Sequence, residues 1–372
     1  MSKYIKINEE LNIKCNKQIK EYLNPDYVYI PYIKGSILNV KNNEEIQKNS
    51  IILVNNDEFI YSPVSGKVVG VCDNLVGKNK IQTIVIENDF MENTGKISKH
   101  NKSDLTKDEL AQRIKKYMSF KGTLDGSVIV INGIDYEPYE ETYSYLIKEH
   151  TEQILECIDN LLNILNISKS FFAIKNNDNL NVETLVNQIG TYPNIELKLL
   201  PDIYPIGYKD LLIKELSLEN EDIIYLTVED VYNIYNVLKK QSPITEKLVT
   251  ITGNLLNKSK VVNVKIGTRL ADIIGEEFKI KAENYHIVIN GLLSGYDADN
   301  LNLIITPEVR SIFINDDNIT KKYQCINCGL CHINCPYKCD PRTGYKMDKC
   351  IKCGLCNYIC PSKIKLVGDT NE

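Results

Sequence analysis

The chain has 372 residues, 43% of them hydrophobic and 25% charged, with a formal net charge of −5. These values exclude a disordered or collagen-like chain, and at about 150 residues per domain the length leaves room for two or three domains or more. No apolar run approaches the roughly 18 residues of a membrane span, the opening Met1-Ser2-Lys3-Tyr4-Ile5 lacks the apolar core of a secretory signal, and the mild acidity argues against nucleic acid as the main partner.

Residues 26–90 read as short strands broken by turns. Val28-Tyr29-Ile30 and Ile51-Ile52-Leu53-Val54 are rich in strand formers, and the run from Tyr61 to Val71, through Pro63 and Gly66, sets a turn between two strands. The segment resembles the barrel-sandwich fold of lipoyl and biotinyl domains. Those domains carry a modified lysine at an exposed turn, usually beside Met, Asp or Ala. Lys67 follows Gly66 without that context and is expected to be structural.

From Leu105 the pattern turns to α/β. A helix is expected over 105–117, with Thr106 and Glu109 as a capping box. Ser127 to Asn132 reads as a buried strand. A long amphipathic helix over 141–165 places Ile147, Ile154, Ile158, Leu161, Leu162 and Leu165 on one face. Cys157 falls near that face as a core thiol, and His150 reads as a surface or capping residue. Strands at 171–174, 195–199 and 223–228 are separated by helices at 182–189 and 208–216 and followed by one at 231–239. That alternation predicts a mostly parallel sheet covered on both faces.

Residues 245–315 change again. Strands are expected at 248–251 and 261–266, then a short helix at 269–277 capped by Thr268, then strands at 286–289, 303–305 and 311–314. Strand, strand, helix, strand is the order of a β-grasp module.

Of the twelve cysteines, Cys15, Cys72 and Cys157 are scattered and nine crowd between Cys325 and Cys360. A secreted disulfide protein would spread its bridges over a small, loop-rich fold. A large body with a cysteine-dense tail points instead to a metal centre in a reducing cytoplasm. The tail reads Cys325-x2-Cys328-x2-Cys331-x3-Cys335-Pro336 and then Cys350-x2-Cys353-x2-Cys356-x3-Cys360-Pro361. Both are the run of bacterial-type ferredoxins, whose fourth cysteine ligates the other cluster in two-cluster proteins. Cys325, Cys328, Cys331 and Cys360 are therefore assigned to one [4Fe–4S] centre, and Cys350, Cys353, Cys356 and Cys335 to a second. Gly329 and Gly354 let the backbone turn close to each core. A four-cysteine zinc site normally shows two CxxC pairs, which two triple runs fit poorly. Cys339 lies outside the ligand pattern: it is either a spare structural thiol or a redox thiol beside the first cluster, with Lys338 placed to lower its pKa. His332 reads as a tuning or surface residue.

The whole resembles the RnfC family, the iron–sulfur subunit of a bacterial electron-transport complex, and is similar to the flavoprotein subunit of complex I. The residues that carry this are Asn132-Gly133-Ile134-Asp135-Tyr136-Glu137-Pro138-Tyr139, Lys148-Glu149-His150, Tyr204-Pro205-Ile206-Gly207, Val249-Thr250-Ile251-Thr252-Gly253 and Cys360-Pro361-Ser362-Lys363-Ile364. The resemblance implies a multidomain α/β plus β fold in four parts: a barrel-sandwich hybrid over 1–95, a Rossmann-like α/β domain over 96–243, a β-grasp (SLBB) module over 244–318 and a dicluster ferredoxin tail over 319–372. Asn132, Asp135 and Glu137 match positions near the family's flavin site.

Two departures shape the functional expectation. In the family a glycine-rich loop follows the first helix and cradles the phosphate of FMN. Here that stretch is only Met118-Ser119-Phe120-Lys121-Gly122-Thr123-Leu124-Asp125-Gly126, and the second glycine cluster is replaced by Ile206-Gly207-Tyr208-Lys209. The sequence therefore argues against tight FMN and direct NADH oxidation, and leaves Asn132, Asp135 and Glu137 as a residual structural turn. The spacer from Pro336 to Lys349 is also short. Compactness of this kind characterises RnfC-like proteins associated with D-proline reductase. The expected function is a cytoplasmic electron carrier, free or at the inner face of the cell membrane, that passes single electrons through two [4Fe–4S] clusters to a partner such as that reductase. The competing expectations are an FMN-dependent NADH:ferredoxin-type oxidoreductase subunit of an Rnf-like complex, and a scaffold or redox sensor.

Overall fold

The computed structural model describes residues 20–56, 58–95, 105–316 and 323–367; Cys15 lies outside them. The fold is mixed α/β with several sheets. It opens with strand β1 (Lys20–Tyr22), followed by β2 (Tyr27–Pro31), β3 (Ile37–Leu38), β4 (Glu45–Ile46), β5 (Ile51–Asn55), β6 (Glu58–Tyr61), β7 (Gly66–Val76) and β8 (Asn79–Asn88). These make a four-stranded sheet, β2-β8-β7-β4, and a three-stranded one, β3-β5-β6. Val28, Ile30, Ile52, Leu53, Val68, Ile84 and Ile86 fill the space between them. Lys67 is an exposed strand residue of β7, paired across to Glu45 and Glu87, and not a turn tip.

The central unit contains α1 (Lys107–Tyr117), β9 (Val128–Asn132), α2 (Thr142–Leu165), β10 (Ser170–Lys175), α3 (Asn179–Ile189), β11 (Ile195–Leu200), α4 (Lys209–Glu215), β12 (Ile223–Thr227) and α5 (Val228–Lys240). Its sheet, β11-β10-β9-β12, is wholly parallel. Apolar clusters cover both faces, so β9 is buried at every position. The capping box forms as the sequence predicts: Thr106 Oγ1 accepts from Glu109 N at 3.3 Å, and Glu109 Oε2 accepts from Thr106 N at 2.9 Å. A second box, Thr227 with Asp230, starts α5 at Val228, so the strand expected over 223–228 ends one residue early.

Helix α2 buries Leu146, Ile147, Ile154, Leu155, Ile158, Leu161 and Leu162, each contributing roughly 1.5–3 kcal/mol of apolar burial. Cys157 is buried among them. The helix kinks at His150 (φ −131°, ψ 23°), where the ring stacks on Tyr232 of α5 at 4.5 Å. His150 is thus a half-buried packing residue and not a surface cap.

The third unit contains β13 (Glu246–Thr252), β14 (Lys260–Lys265), α6 (Leu270–Glu277), β15 (His286–Ile289), β16 (Tyr296–Ala298) and β17 (Ser311–Asn315). They join a six-stranded sheet of order β1-β14-β13-β17-β15-β16, in which β1 runs parallel to β14. Two expectations fail here. Residues 303–305 are not a strand: Ile304 N donates to Leu75 O at 2.8 Å and Ile305 N to Thr268 O at 2.9 Å, so their backbone bonds go to a distant hairpin and a turn. Thr268 does not cap α6; Arg269 occupies that position without a side-chain cap. Lys265, its side chain 2% exposed, lies 3.1 Å from both Glu246 and Glu92, and Lys48 bonds Glu92. This ion cluster ties the first unit to the third.

The tail carries two short helices, α7 (Leu330–Ile333) and α8 (Leu355–Ile359), and a 3-10 turn at Met347–Lys349.

Candidate metal centre at the cysteine tail

The two cysteine runs fold as copies of each other, 25 residues apart. In each, the residue before the second cysteine has left-handed backbone, Asn327 at φ 56° and Lys352 at φ 53°. Its N–H donates to the sulfur of the first cysteine, Cys325 or Cys350, at 3.4 Å in both cases. Gly329 (φ 77°) and Gly354 (φ 69°) then head α7 and α8 in a region where a side chain is strained. Past each Cys-Pro, Lys338 (φ 58°) and Lys363 (φ 51°) turn back, donating to the carbonyls of Cys335 and Cys360 at 3.1 and 3.0 Å. Tyr323 N bonds Ser362 O at 3.0 Å and stitches the start of one run to the end of the other.

Cys335, Cys350, Cys353 and Cys356, the set assigned to the second centre, line one small apolar cavity together with Cys331 and Cys339. Among the described residues, no three Cys, His, Asp or Glu converge on a point that would hold a single ion. Burial pushes the Cys353 and Cys356 thiols up to about 12, aided by the neighbouring sulfurs, and coordination would hold them as thiolates. In the other set, Cys331 is buried, Cys360 is half-buried, and Cys325 and Cys328 face solvent. Arg342 stands over their loop, bonding Asn327 Oδ1 at 2.6 Å while Asp340 holds it at 2.7 Å. The structure thus gathers the second set around a cavity, and of the first set brings only Cys331 to that wall.

Cys339 is buried on the same wall, its thiol donating to Lys346 O at 3.1 Å. Burial and the adjacent Cys335 raise its pKa. Lys338 does not lower it: the ammonium bonds the carbonyl of Ile333. His332 is half-buried against Tyr345, at 6.2 Å.

The tail is seated on the body. Asn357 Nδ2 bonds the carbonyl of Leu293 at 3.2 Å, and Tyr204 donates to the carbonyl of Cys353. Sequence reasoning did not find Tyr204, Leu293 or Ser294 as partners of the tail. No spacing could have shown them, because each meets it only through the tertiary fold.

Asn132, Asp135 and Glu137 cluster at the end of β9, but their polar atoms are taken up inside the chain. Asn132 Nδ2 donates to Gly207 O at 3.0 Å and to Tyr225 OH at 2.9 Å. Asp135 accepts from Tyr143 N at 2.9 Å and Ser144 N at 3.3 Å, in the first turn of α2. Burial lifts its pKa to about 7. Glu137 accepts from Ser294 Oγ at 2.7 Å, Tyr204 OH at 2.8 Å and Leu293 N at 2.9 Å. A Cβ on Gly207 would lie 3.0 Å from Asp135 O, so the backbone at Gly207 packs directly against the Ile134–Asp135 segment. The side chains of all three are thus engaged by partners within the chain.

The family model described as the Nuo51 FMN-binding domain matches residues 112–237. That description does not support setting flavin aside, as the missing glycine loop had suggested. The chain is 26% identical over 366 residues to the C subunit of the proton-translocating ferredoxin:NAD(+) oxidoreductase complex of Clostridium ljungdahlii, covering 88% of this chain and 79% of that one. It is 26% identical over 231 residues to the C subunit of the ion-translocating oxidoreductase complex of Haemophilus influenzae strain Rd, covering 59% of this chain but only 28% of the relative. The corresponding Buchnera aphidicola protein is 24% identical over 340 residues, 83% of this chain and 72% of its own. Among solved structures, an NAD+-reducing [NiFe]-hydrogenase in the air-oxidised state matches 51% of this chain and 40% of its own with a TM-score of 0.44 and 13% identity. Among the described residues no helix is long and apolar enough to cross a membrane.

Proposed function

The chain is a homologue of RnfC, a component of ion-translocating oxidoreductase complexes, and from that premise we propose that it is an electron-transfer protein holding two [4Fe–4S] centres. The observation that carries this reading is the duplicated cysteine loop, with four thiols of the second set around one cavity. Cys325, Cys328, Cys331 and Cys360 hold one centre, and Cys350, Cys353, Cys356 and Cys335 the other. Bound clusters of this type take up and release single electrons. The chain supplies the thiolates, N–H donors to sulfur at Cys325 and Cys350, and a seat that excludes water on the Cys353 side. The four parts are a barrel-sandwich hybrid over 1–95, a complex-I-flavoprotein-like domain over 96–243, an SLBB module over 244–318 and a ferredoxin-like tail over 319–372. The protein works in the cytoplasm or at the inner face of the membrane, and its acceptor is a reductase, with D-proline reductase the one the sequence resemblance suggests.

Oxygen-free purification followed by iron, acid-labile sulfide and EPR analysis tests the reading. Two centres give about eight irons and eight sulfides per chain, with two interacting reduced spins. Zinc, or no labile sulfide, would end it. Stopped-flow mixing of reduced protein with D-proline reductase tests the partner.

A second reading, an FMN-dependent NADH oxidoreductase subunit, is favoured by the description of the matching family model. Flavins supply the two-electron to one-electron conversion that clusters lack. Flavin absorbance in the same oxygen-free sample, with NADH-dependent bleaching of the clusters, would establish it.

A further inference from the structure

We infer that Glu137 and Tyr204 are positioning residues for the second iron–sulfur centre: together they fix the Cys353 loop and set that centre's reduction potential. The inference rests on the assignment of Cys353 as a cluster ligand.

Glu137 is 3% exposed and sits where three remote segments meet. Its Oε2 accepts from Leu293 N. Its Oε1 accepts from Ser294 Oγ, from Tyr204 OH and, at 3.2 Å, from Tyr208 OH. The turn at 291–295 closes over the carboxyl only because residue 291 is glycine: at φ +110°, a Cβ there would lie 1.9 Å from Glu137 Cγ. That same turn presents Leu293 O to the tail, where a Cβ on Gly354 would come within 1.8 Å of it. The carboxyl therefore fixes the turn, and the turn fixes the residue following Cys353.

Tyr204 makes the second link. It has one hydroxyl hydrogen and two strong acceptors, Glu137 Oε1 and the carbonyl of Cys353, which is itself 8% exposed. Cluster potentials respond to hydrogen bonds near the ligands and to local charge. A hydroxyl aimed at the ligand's own peptide withdraws electron density and favours the reduced centre. A carboxylate one residue further away disfavours the added electron, and in this dry setting water screens it little. The other charged groups nearby are Glu140, held by Ser311 Oγ at 2.5 Å, and Arg310, 3.6 Å from Glu140. The two groups next to the loop thus pull the potential in opposite directions.

The test is an EPR-monitored redox titration of the full chain at one alkaline pH, repeated in a Cys328→Ser background in which the second centre gives the remaining signal. Glu137→Gln removes the negative charge and is expected to raise the second centre's potential. Tyr204→Phe removes the hydroxyl and is expected to lower it. The first centre's potential stays put in both. Shifts of the same sign in the two variants, or no shift in either, would overturn the inference, since general loosening of the fold has no reason to give opposite signs. If Glu137→Gln does not fold, Tyr204→Phe decides alone: a fall confined to the second centre supports the assignment and an unchanged potential refutes it. Wild-type protein without clusters would instead refute the proposed function, so the two failures are distinguishable.

Discussion

A methyl group placed on Gly354 would lie 1.8 Å from the carbonyl oxygen of Leu293, so the second cysteine loop and the turn it rests on meet without room for a side chain. Gly329 holds the equivalent position in the first loop, with nearly the same backbone, but the nearest atoms to its missing Cβ are those of the Arg342 guanidinium at 3.6 Å. Two alanine substitutions should therefore differ sharply. Gly329→Ala should cost about 1–2 kcal/mol of backbone strain and leave both centres assembled. Gly354→Ala should unseat the tail and lower iron content. Iron analysis with limited proteolysis of the two variants checks this; equal retention of iron would show that the contact does not matter.

The thiols around the cavity divide into those proposed to bind and one that stands by. Cys350→Ser should lower iron and sulfide by about half, leaving a single centre. Cys339→Ser should keep the full complement, because its thiol already has a partner in the Lys346 carbonyl. Loss of iron in Cys339→Ser would make it a ligand.

Asp135 gives a pH dependence with a definite sign. Its ordinary value is 3.8 and burial lifts it to about 7 in the folded chain. Below 3.8 both folded and unfolded forms hold the proton and its contribution is constant. Between 3.8 and 7 the unfolded chain ionises and the folded one does not, so stability falls as pH rises, by roughly 4 kcal/mol across the window. Above 7 the contribution is flat again. Asp135→Asn cannot ionise, and its denaturation midpoint should lose that downward slope. Wild-type and variant midpoints followed from pH 5 to 8 decide the matter; parallel curves would place the ionisation elsewhere.

The ion cluster that joins the first and third units should respond asymmetrically. Lys265→Met removes a buried charge whose partners, Glu92 and Glu246, can rehydrate, and should stay within about 1 kcal/mol of wild type. The double change Glu92→Gln and Glu246→Gln leaves the ammonium buried without a carboxylate and should cost about 3–5 kcal/mol. Chemical denaturation of the two variants measures the difference.

The features legible in the sequence are those whose cause is local. The Thr106–Glu109 box closes within one helical turn, and each cysteine loop repeats the same spacing within eleven consecutive residues. The parallel sheet follows from uninterrupted apolar strands such as β9. What escaped was set by distant partners. Residues 303–305 have the composition of a strand, but their backbone groups are claimed by Leu75 and the Thr268 turn. The break in α2 at His150 is matched to Tyr232, more than eighty positions away. Glu137 is a flavin-site match by sequence, yet its carboxyl is bonded by Tyr204, Tyr208, Leu293 and Ser294, none of them near it in sequence.

The alignment of Lys20–Tyr22 with Val262–Val264 also has a bearing on biosynthesis. A ribosome delivers the earlier segment long before its neighbour exists, so that segment must wait while the intervening helices and sheets are made. Those central layers can mature in the meantime, since every strand they need arrives together. The last large sheet closes only late in translation, and a stall before residue 260 would release a chain whose first described strand has an unpaired edge open to other polypeptides.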